Sequence, residues 1–490
     1  MKEKIKSLMD EGVFLDPEVV SLIDESSFDL INDHLNEVRG QVLNQMLLDE
    51  LKSKYIKSED NLNVASETKT NNIKIIKSYE DSLSKIEVGH FVEHYKTRYT
   101  FMSKLLQNRL ELADTISISR CFSKMQRDKV SLIGIVYNKR ITKNGNLILE
   151  IEDPTGKITI LVNSTKKEVF DMAKDIVLDE VIGIIGNMGD KIVFVNELFF
   201  PDVSINGNNM KKSEKEEHVA FISDIHIGSD MFLEKDFEKF IEWINGNSGS
   251  IEQKKIAKSI KYLFVIGDVV DGVGIYPGQE EELVIKDIKE QYDKCAEFFS
   301  KMRNDLQIIV CPGNHDALRL AEPQPVLDEK IAEALYNLDN VSIVSNPAVI
   351  NIGEYDGFDG FNILMYHGFS FDYYIDKVDS IRENGGYDRA DLVMKFLMKK
   401  RHLAPSHGST LFVVDPDRDE LIIDEIPDFF VSGHIHKSSV SHYGKTTLIC
   451  GSCWQSTTKF QEKVGHHPEP CRVPIVNLKT RDVKLMKFCD

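Results

Sequence analysis

Five short apolar runs in the second half of the chain each end in polar side chains. The runs HVAFIS, YLFVIG, LQIIVCPG, FNILMY and DFFVSG are rich in β-branched and aromatic residues, which predicts buried strands. The polar side chains that follow them are Asp224 and His226; Asp268; Asn314, His315 and Asp316; His367; and His434 and His436. In open α/β sheets, ligands bind beyond the carboxyl ends of the strands. The pattern therefore predicts an α/β domain in which these side chains meet at one site.

These side chains are metal ligands in type and in spacing. Residues i and i+2 of an extended segment share a face, so Asp224 and His226 can bind one ion, and so can His434 and His436. One such pair alone is weak evidence for a metal site. Together the clusters offer carboxylates, an amide and imidazoles, a mixture that suits Mn²⁺, Fe or Zn²⁺ better than Ca²⁺.

The stretches DIHIG, GDVVDG, GNHD, YHG and GHIH resemble the motifs of the calcineurin-like metallophosphoesterases, and among them the nuclease branch. The resemblance implies a two-sheet sandwich flanked by helices, with two divalent ions at its site. It implies these ligands: Asp224, His226 and His436 for one ion, Asn314, His367 and His434 for the other, and Asp268 between them. Gly272 stands where the phosphatase branch has a phosphate-clamping arginine, which disfavours Ser/Thr phosphatase activity.

His315 and Asp316 are the predicted catalytic residues. Because Asn314 takes the ligand role, we expect His315 to point toward the scissile phosphate. There it would stabilise developing charge or protonate the leaving 3′-oxygen. Asp316 would orient His315 and keep it protonated; a helix N-cap is the alternative role for this carboxylate.

Three further stretches, VGIYPGQEEEL, RHLAPSHGST and GSCWQSTTKFQ, look like those of the small subunits of archaeal family D DNA polymerases. This resemblance implies a 3′–5′ exonuclease that proofreads for a large subunit, which carries the polymerase site. It implies DNA with a single-stranded 3′ end as substrate and two divalent ions as cofactors, with Mn²⁺ favoured over Mg²⁺, Fe or Zn²⁺. The sliding clamp is a further candidate partner.

Two other functions stay open at this point. Related accessory subunits of eukaryotic replicative polymerases keep a similar architecture without the ligands, so an inert scaffold is one alternative. A metallophosphoesterase that works without a polymerase, such as a repair nuclease, is the other. Because every predicted ligand position carries the expected residue type, the active enzyme is favoured.

The rest of the chain predicts a multidomain α+β protein. Hairpin signals at Asn144-Gly145 and at 153–156 separate strand-like runs, and the order of three strands, a helix and two strands is that of an OB-fold. Whether this barrel binds DNA, through Tyr137, Lys139 and Arg140, or only protein is left open. The predicted parts are a helical N-terminal domain over 1–50, a polar linker over 51–85, an OB-fold over 86–205 and a phosphoesterase domain over 217–490.

Charge and cysteine content limit where and how such a protein acts. The net charge is −19, so DNA affinity must come from a local patch, from metal ions or from a partner. No apolar run approaches the roughly 18 residues of a membrane helix, and no secretory signal is evident. Seven scattered cysteines predict a reducing cytoplasm, with Cys450 and Cys453 as buried strand thiols.

A few other residues have two interpretations each. Asp271 is either a support for a metal ligand or a loop carboxylate, and Tyr276 either stacks on a base or packs locally. His402 and His407 either contact DNA or a partner, or lie in a surface loop. Trp454 is predicted to be buried, in the core or at a subunit interface, and His466 to lie in an exposed turn.

Overall fold

The computed structural model describes residues 73–81, 85–203, 210–464 and 466–489, with the backbone alone at 460, 463 and 464, and six isolated residues before them. The chain divides into two compact units, Met1–Asn71 and Asn72–Asp490. In the first unit, Phe14–Leu15 pairs in parallel with Val42–Leu43. Most of the predicted helical domain 1–50, and the start of the predicted linker, lie outside the described residues.

Strand β1, Ile73–Ser78, lies inside the segment that was predicted as a linker over 51–85. It pairs antiparallel with a strand of the C-terminal domain, from Ile73 opposite Ile352 to Ser78 opposite Ala348. The polar composition around it hides a short IKIIKS run, whose lysines suit an exposed sheet edge. The linker prediction is therefore wrong over these residues.

Five strands form a closed barrel in the order β2-β3-β4-β6-β5. They are β2 (Lys129–Ile141), β3 (Leu147–Asp153), β4 (Gly156–Val162), β5 (Val181–Met188) and β6 (Ile192–Phe199). Helix α3, Lys167–Lys174, lies between β4 and β5, so the predicted OB-fold order is confirmed. Two other helices, α1 (Val88–Gln107) and α2 (Ile118–Cys121), precede the barrel within the range predicted for it.

The C-terminal domain is a sandwich of two six-stranded sheets, as the resemblance implies. The first sheet has the order β10-β9-β8-β7-β16-β17 and the second β14-β15-β13-β12-β11-β1. Their strands are β7 (His218–Ile222), β8 (Ile260–Ile266), β9 (Gln307–Cys311), β10 (Val341–Ile343), β11 (Ala348–Ile352), β12 (Phe361–Met365), β13 (Phe429–Ser432), β14 (Ser439–Tyr443), β15 (Thr446–Cys450), β16 (Arg472–Asn477) and β17 (Val483–Lys487).

Three hydrophobic layers hold the sandwich together. Between the sheets, Phe221, Phe264, Phe361 and Phe429 are fully buried. The outer faces are covered by α4 (Glu234–Ile244), α5 (Ile251–Ser259), α6 (Ile288–Ser300) and α7 (Glu333–Tyr336), and by α8 (Phe371–Lys377), α9 (Asp379–Arg382) and α10 (Ala390–Lys400); α11 (Lys459–Val464) follows β15. Trp454 is buried beside Phe237 in one of these layers, as predicted. No helix of the described residues combines the length and apolarity of a membrane span.

A buried polar network joins α1 and the barrel to the C-terminal domain. Arg98 Nε donates to Asp419 Oδ2 at 2.6 Å, and His402 Nε2 lies 2.9 Å from the same oxygen. The backbone N–H of Ala404 donates to His402 Nδ1 at 3.0 Å, which fixes His402 as the neutral tautomer. Burial, and then the charge of Arg98, lower the pKa of His402 to about 4. His402 is therefore an interdomain support, and neither a DNA contact nor a surface residue.

This network predicts that acid removes a stabilising contribution of neutral His402. Since the pKa of His402 is about 4 in the folded protein and about 6.5 when unfolded, the unfolded chain binds the extra proton between these values. The contribution of His402 to the free energy of unfolding should therefore fall by about 3 kcal/mol as the pH drops through this window. Urea unfolding of the wild type and of a His402 variant from pH 7 to pH 4 measures this contribution as a difference.

The matched variants are His402→Gln and His407→Gln, because His407 is exposed and its ring contacts Phe91 and Phe412 outside the network. The difference in unfolding free energy between the wild type and the first variant should shrink by about 3 kcal/mol between pH 6.5 and pH 4, whereas the difference for the second variant should stay constant. A difference for His402→Gln that does not change with pH would contradict the assignment.

Candidate metal centre

Every predicted ligand lies within four residues of the carboxyl end of a strand. At five of them the backbone is left-handed, with φ of 51° at Asp224, 54° at His226, 49° at Asp268, 68° at His434 and 56° at His436. Such a conformation costs about 1–2 kcal/mol for a residue with a Cβ. The pairing of residues i and i+2 was predicted for extended segments. These segments are turned instead, and the turns bring the side chains together.

The first group consists of Asp224, His226 and His436, whose donor atoms lie within 4.8 Å of one another. His226 Nε2 is 3.1 Å from His436 Nε2, and His436 Nε2 is 3.3 Å from Asp224 Oδ1. All three residues are buried. The structure thus brings together the ligands predicted for one ion.

The second group consists of Asp268, His367 and His434, again with donor atoms within 4.8 Å of one another. His367 Nε2 lies 3.2 Å from Asp268 Oδ2 and 3.0 Å from Asn314 Oδ1. The same Asp268 oxygen is 3.9 Å from His226 Nε2 of the first group. Asp268 therefore lies between the groups, at the position that the resemblance implies for the bridging ligand.

These separations fit metal binding. Two donors that each lie about 2.1 Å from one ion, at tetrahedral to octahedral angles, are roughly 3.0–3.4 Å apart. The close donor pairs here are 3.0–3.3 Å apart, and they mix carboxylate, amide and imidazole groups. The donor set therefore fits two divalent ions and does not specify which metal they are.

The electrostatics of the site keep its carboxylates ionised. Burial opposes ionisation of Asp268, but His367 and His315 outweigh it and hold the pKa of Asp268 well below its usual range. Burial likewise opposes ionisation of Asp224, and His436 lowers the pKa of Asp224 in spite of it. Deprotonated carboxylates are the form that binds metal.

Backbone and side-chain acceptors fix the tautomers of two ligands. His367 Nδ1 lies 2.9 Å from the Ile266 carbonyl, so Nδ1 donates and Nε2 is left for the site. His226 Nδ1 lies 3.1 Å from Asp271 Oδ1, which leaves Nε2 toward His436. Asp271 is thus a buried support, the first of the two interpretations above.

Three glutamines form an outer layer that the sequence analysis missed. The amides of Gln279 and Gln455 donate to the Asp271 carboxylate at 2.9 and 3.1 Å. The amide of Gln461 lies 2.9 Å from His436 Nδ1. These glutamines belong to the VGIYPGQEEEL and GSCWQSTTKFQ stretches, which carry the resemblance to the polymerase subunits. The sequence alone does not show that their amides reach the metal ligands.

His315 lies beside the two donor groups, and its ring is held by a different group from the predicted Asp316. Its Nδ1 is 2.8 Å from the Asp271 backbone carbonyl, and its ring is 4.7 Å from that of His226. Its backbone N–H donates to Asp268 Oδ1 at 2.8 Å. Burial lowers the pKa of His315. The ring nitrogen left for a substrate is therefore Nε2.

The predicted role of Asp316 is wrong. Its carboxylate accepts from the Gly313 N–H at 2.8 Å, the Val269 N–H at 3.3 Å and the Tyr292 hydroxyl at 3.0 Å. It is fully buried, and burial together with nearby Asp268 raises the pKa of Asp316 to about 6. Asp316 clamps the GNHD loop from beneath, and the Asp271 carbonyl orients His315 instead.

The remaining candidates are placed around the site or in the barrel. The Tyr276 hydroxyl donates to Glu282 at 2.9 Å, and its ring lies 6.5 Å from that of His315. Lys139 donates to carbonyls at the end of α3 and is held within the barrel, whereas Tyr137 is exposed with Lys157 over its ring. Cys450 and Cys453 are buried thiols, as predicted.

Comparison with known proteins agrees with this site. Residues 217–438 match the family model of calcineurin-like phosphoesterases, and residues 130–205 match that of the OB-fold nucleic acid binding domain. The DNA polymerase II small subunit of Methanothermobacter thermautotrophicus is 40% identical over 82% of this chain and 80% of that protein. The chain belongs to the DNA polymerase II small subunit family.

Another relative extends the match to nearly the whole chain. The DNA polymerase II small subunit of Archaeoglobus fulgidus is 32% identical over 96% of this chain and 94% of that protein. Among solved structures, asparaginyl-tRNA synthetase from Pyrococcus horikoshii aligns with 17% of this chain and 21% of that chain at 22% identity. Its TM-score of 0.17 or less is too low to carry an argument.

The clamp formed by Asp316 predicts a loss of stability on its removal. Asp316→Ala leaves buried donors of Gly313, Val269 and Tyr292 without an acceptor, so unfolding free energy should fall by about 2–5 kcal/mol. Asp316→Asn retains one acceptor oxygen and should lose less. Urea unfolding measures both, and wild-type stability in Asp316→Ala would refute the clamp.

Proposed function

We propose that this chain hydrolyses DNA phosphodiesters at a two-metal centre and removes nucleotides from 3′ ends as a proofreading exonuclease. The observation that carries the proposal is the pair of donor groups that meet at Asp268, with His315 beside them. The phosphoesterase family match supports the hydrolytic chemistry. The 3′–5′ polarity rests on the resemblance to archaeal family D polymerase subunits.

The metal ligands and His315 have distinct parts in this reaction. Two divalent ions held here would supply an activated water and positive charge for the phosphoryl oxygens. Asn314 contributes a neutral amide oxygen. A carboxylate in its place would add a negative charge that repels the phosphate. His315 presents Nε2 to the substrate because Nδ1 is held by Asp271, so Nε2 is placed to exchange a proton with the leaving 3′-oxygen.

A partner follows from the names of the relatives. They are called small subunits, which supports assembly of this chain with a large subunit that carries the polymerase site. The net charge of −19 suits a chain whose DNA affinity comes largely from that partner and from bound ions. Contact with the sliding clamp and a cytoplasmic location stay predictions.

The nuclease prediction is tested on the purified full chain. With Mn²⁺ it should shorten single-stranded DNA from the 3′ end. Parallel assays with 5′-labelled and 3′-labelled DNA show from which end the nucleotides are lost. His315→Ala should lower the rate about 10²–10⁴-fold, since it removes proton transfer. Asp268→Asn should abolish activity together with binding of the ions.

His407→Ala is the control, because His407 is exposed and outside the site. Unchanged activity in both site variants would overturn the proposal, and loss of nucleotides from the 5′ end would overturn the polarity. Wild-type chain that binds no metal and has no nuclease activity would favour the inert scaffold. An active chain that does not co-purify with a large subunit would favour a polymerase-independent phosphoesterase.

A further inference from the structure

One short segment of chain surrounds the ring of His434. The His367 and Phe369 rings lie 5.3 and 5.7 Å from it, centroid to centroid. Asp372 Oδ2, from the first turn of α8, lies 3.0 Å from His434 Nε2. Residues 367–372 thus supply His367, a predicted ligand of the second ion. They also supply Asp372, whose carboxylate contacts His434, another predicted ligand of that ion.

The side chain of Tyr387 lies near the Asp372 carboxylate. The ring of His466 lies against that of Tyr387, with centroids 3.7 Å apart. His466 is half-buried by this contact and is not in the exposed turn that the sequence predicted. The backbone N–H of His434 donates to Asp224 at 3.0 Å, so main chain and ring are both fixed.

We propose that Asp372 is a positioning residue for the second metal ion. By accepting from Nε2–H it fixes the tautomer of His434 and leaves Nδ1 to face Asp268 and His367. A carboxylate on the far nitrogen also makes the ligating nitrogen more basic. Asp372 would act through His434 rather than on the substrate itself. The inference rests on the two-metal centre of the proposed function and adds a residue outside the motifs that define it.

The test compares full-length wild type, Asp372→Ala and Asp372→Asn by Mn²⁺ titration, with calorimetry for affinity and EPR for coupling between ions. Wild type should bind two ions. Asp372→Ala should weaken one of them about 10–100-fold and leave the other unchanged, as expected for loss of a carboxylate behind a ligating histidine. Asp372→Asn retains an acceptor oxygen in the same shape, so its effect should be smaller.

The matched control is Asp376→Asn, one turn along α8, where the carboxylate is exposed and pairs with Lys377 at 2.8 Å. It removes the same charge from the same helix and should bind both ions as wild type does. Wild-type affinities in Asp372→Ala, or equal weakening in Asp372→Ala and Asp376→Asn, would overturn the inference.

A second readout needs no metal. In metal-free protein with ¹⁵N-labelled histidine, His434 should show a protonated Nε2 that is protected from exchange, and this signal should be lost in Asp372→Ala. A protected Nε2–H signal of His434 in both the wild type and Asp372→Ala would overturn the role of Asp372. Wild type that binds fewer than two ions but shows the Asp372-dependent signal would instead refute the two-metal centre.

Discussion

The carboxylate of Asp268 is the group on which the rest of the site depends. A buried charge without partners costs several kcal/mol. Asp268 is compensated by a backbone N–H of its own sheet and by His367 of the opposite sheet. The first sheet supplies Asp224, His226, Asp268 and Asn314, and the second supplies His367, His434 and His436. The site therefore requires both sheets, and its charges help to hold their ends together.

The approach of the GNHD loop to Asp268 explains one glycine of the motif. A Cβ at Gly313 would lie 2.3 Å from Asp268 Oδ1, so a side chain there would displace the carboxylate or the loop. Gly272 is similar, with a positive φ and a Cβ position 2.2 Å from the His315 carbonyl. An arginine at this position, as in the phosphatases, would disturb the loop that holds His315.

Sequence predicted the parts of the structure that leave a periodic or clustered signal. Strand-end clusters located the metal groups, and hairpin signals located the barrel. The role of Asp316 was wrong because neighbours in sequence were assumed to be partners, whereas its carboxylate is turned beneath the loop toward Tyr292. Gln455, Gln461 and Asp372 act through contacts with residues at least 25 positions away, which no local spacing reports. Strand β1 was missed because its partner lies more than 250 residues away.

The strained backbone bears on the choice between an enzyme and an inert scaffold. Five residues of the site keep left-handed φ angles, each unfavourable for a residue with a Cβ. Such angles persist only where the surroundings over-determine them, and they cluster at functional sites. Here the surroundings include Asp271, Gln461 and Asp372, which contact the rings of His226, His436 and His434 respectively. A scaffold would have no need of imidazoles held in fixed tautomers around a shared carboxylate, so this outer layer favours a working metal centre.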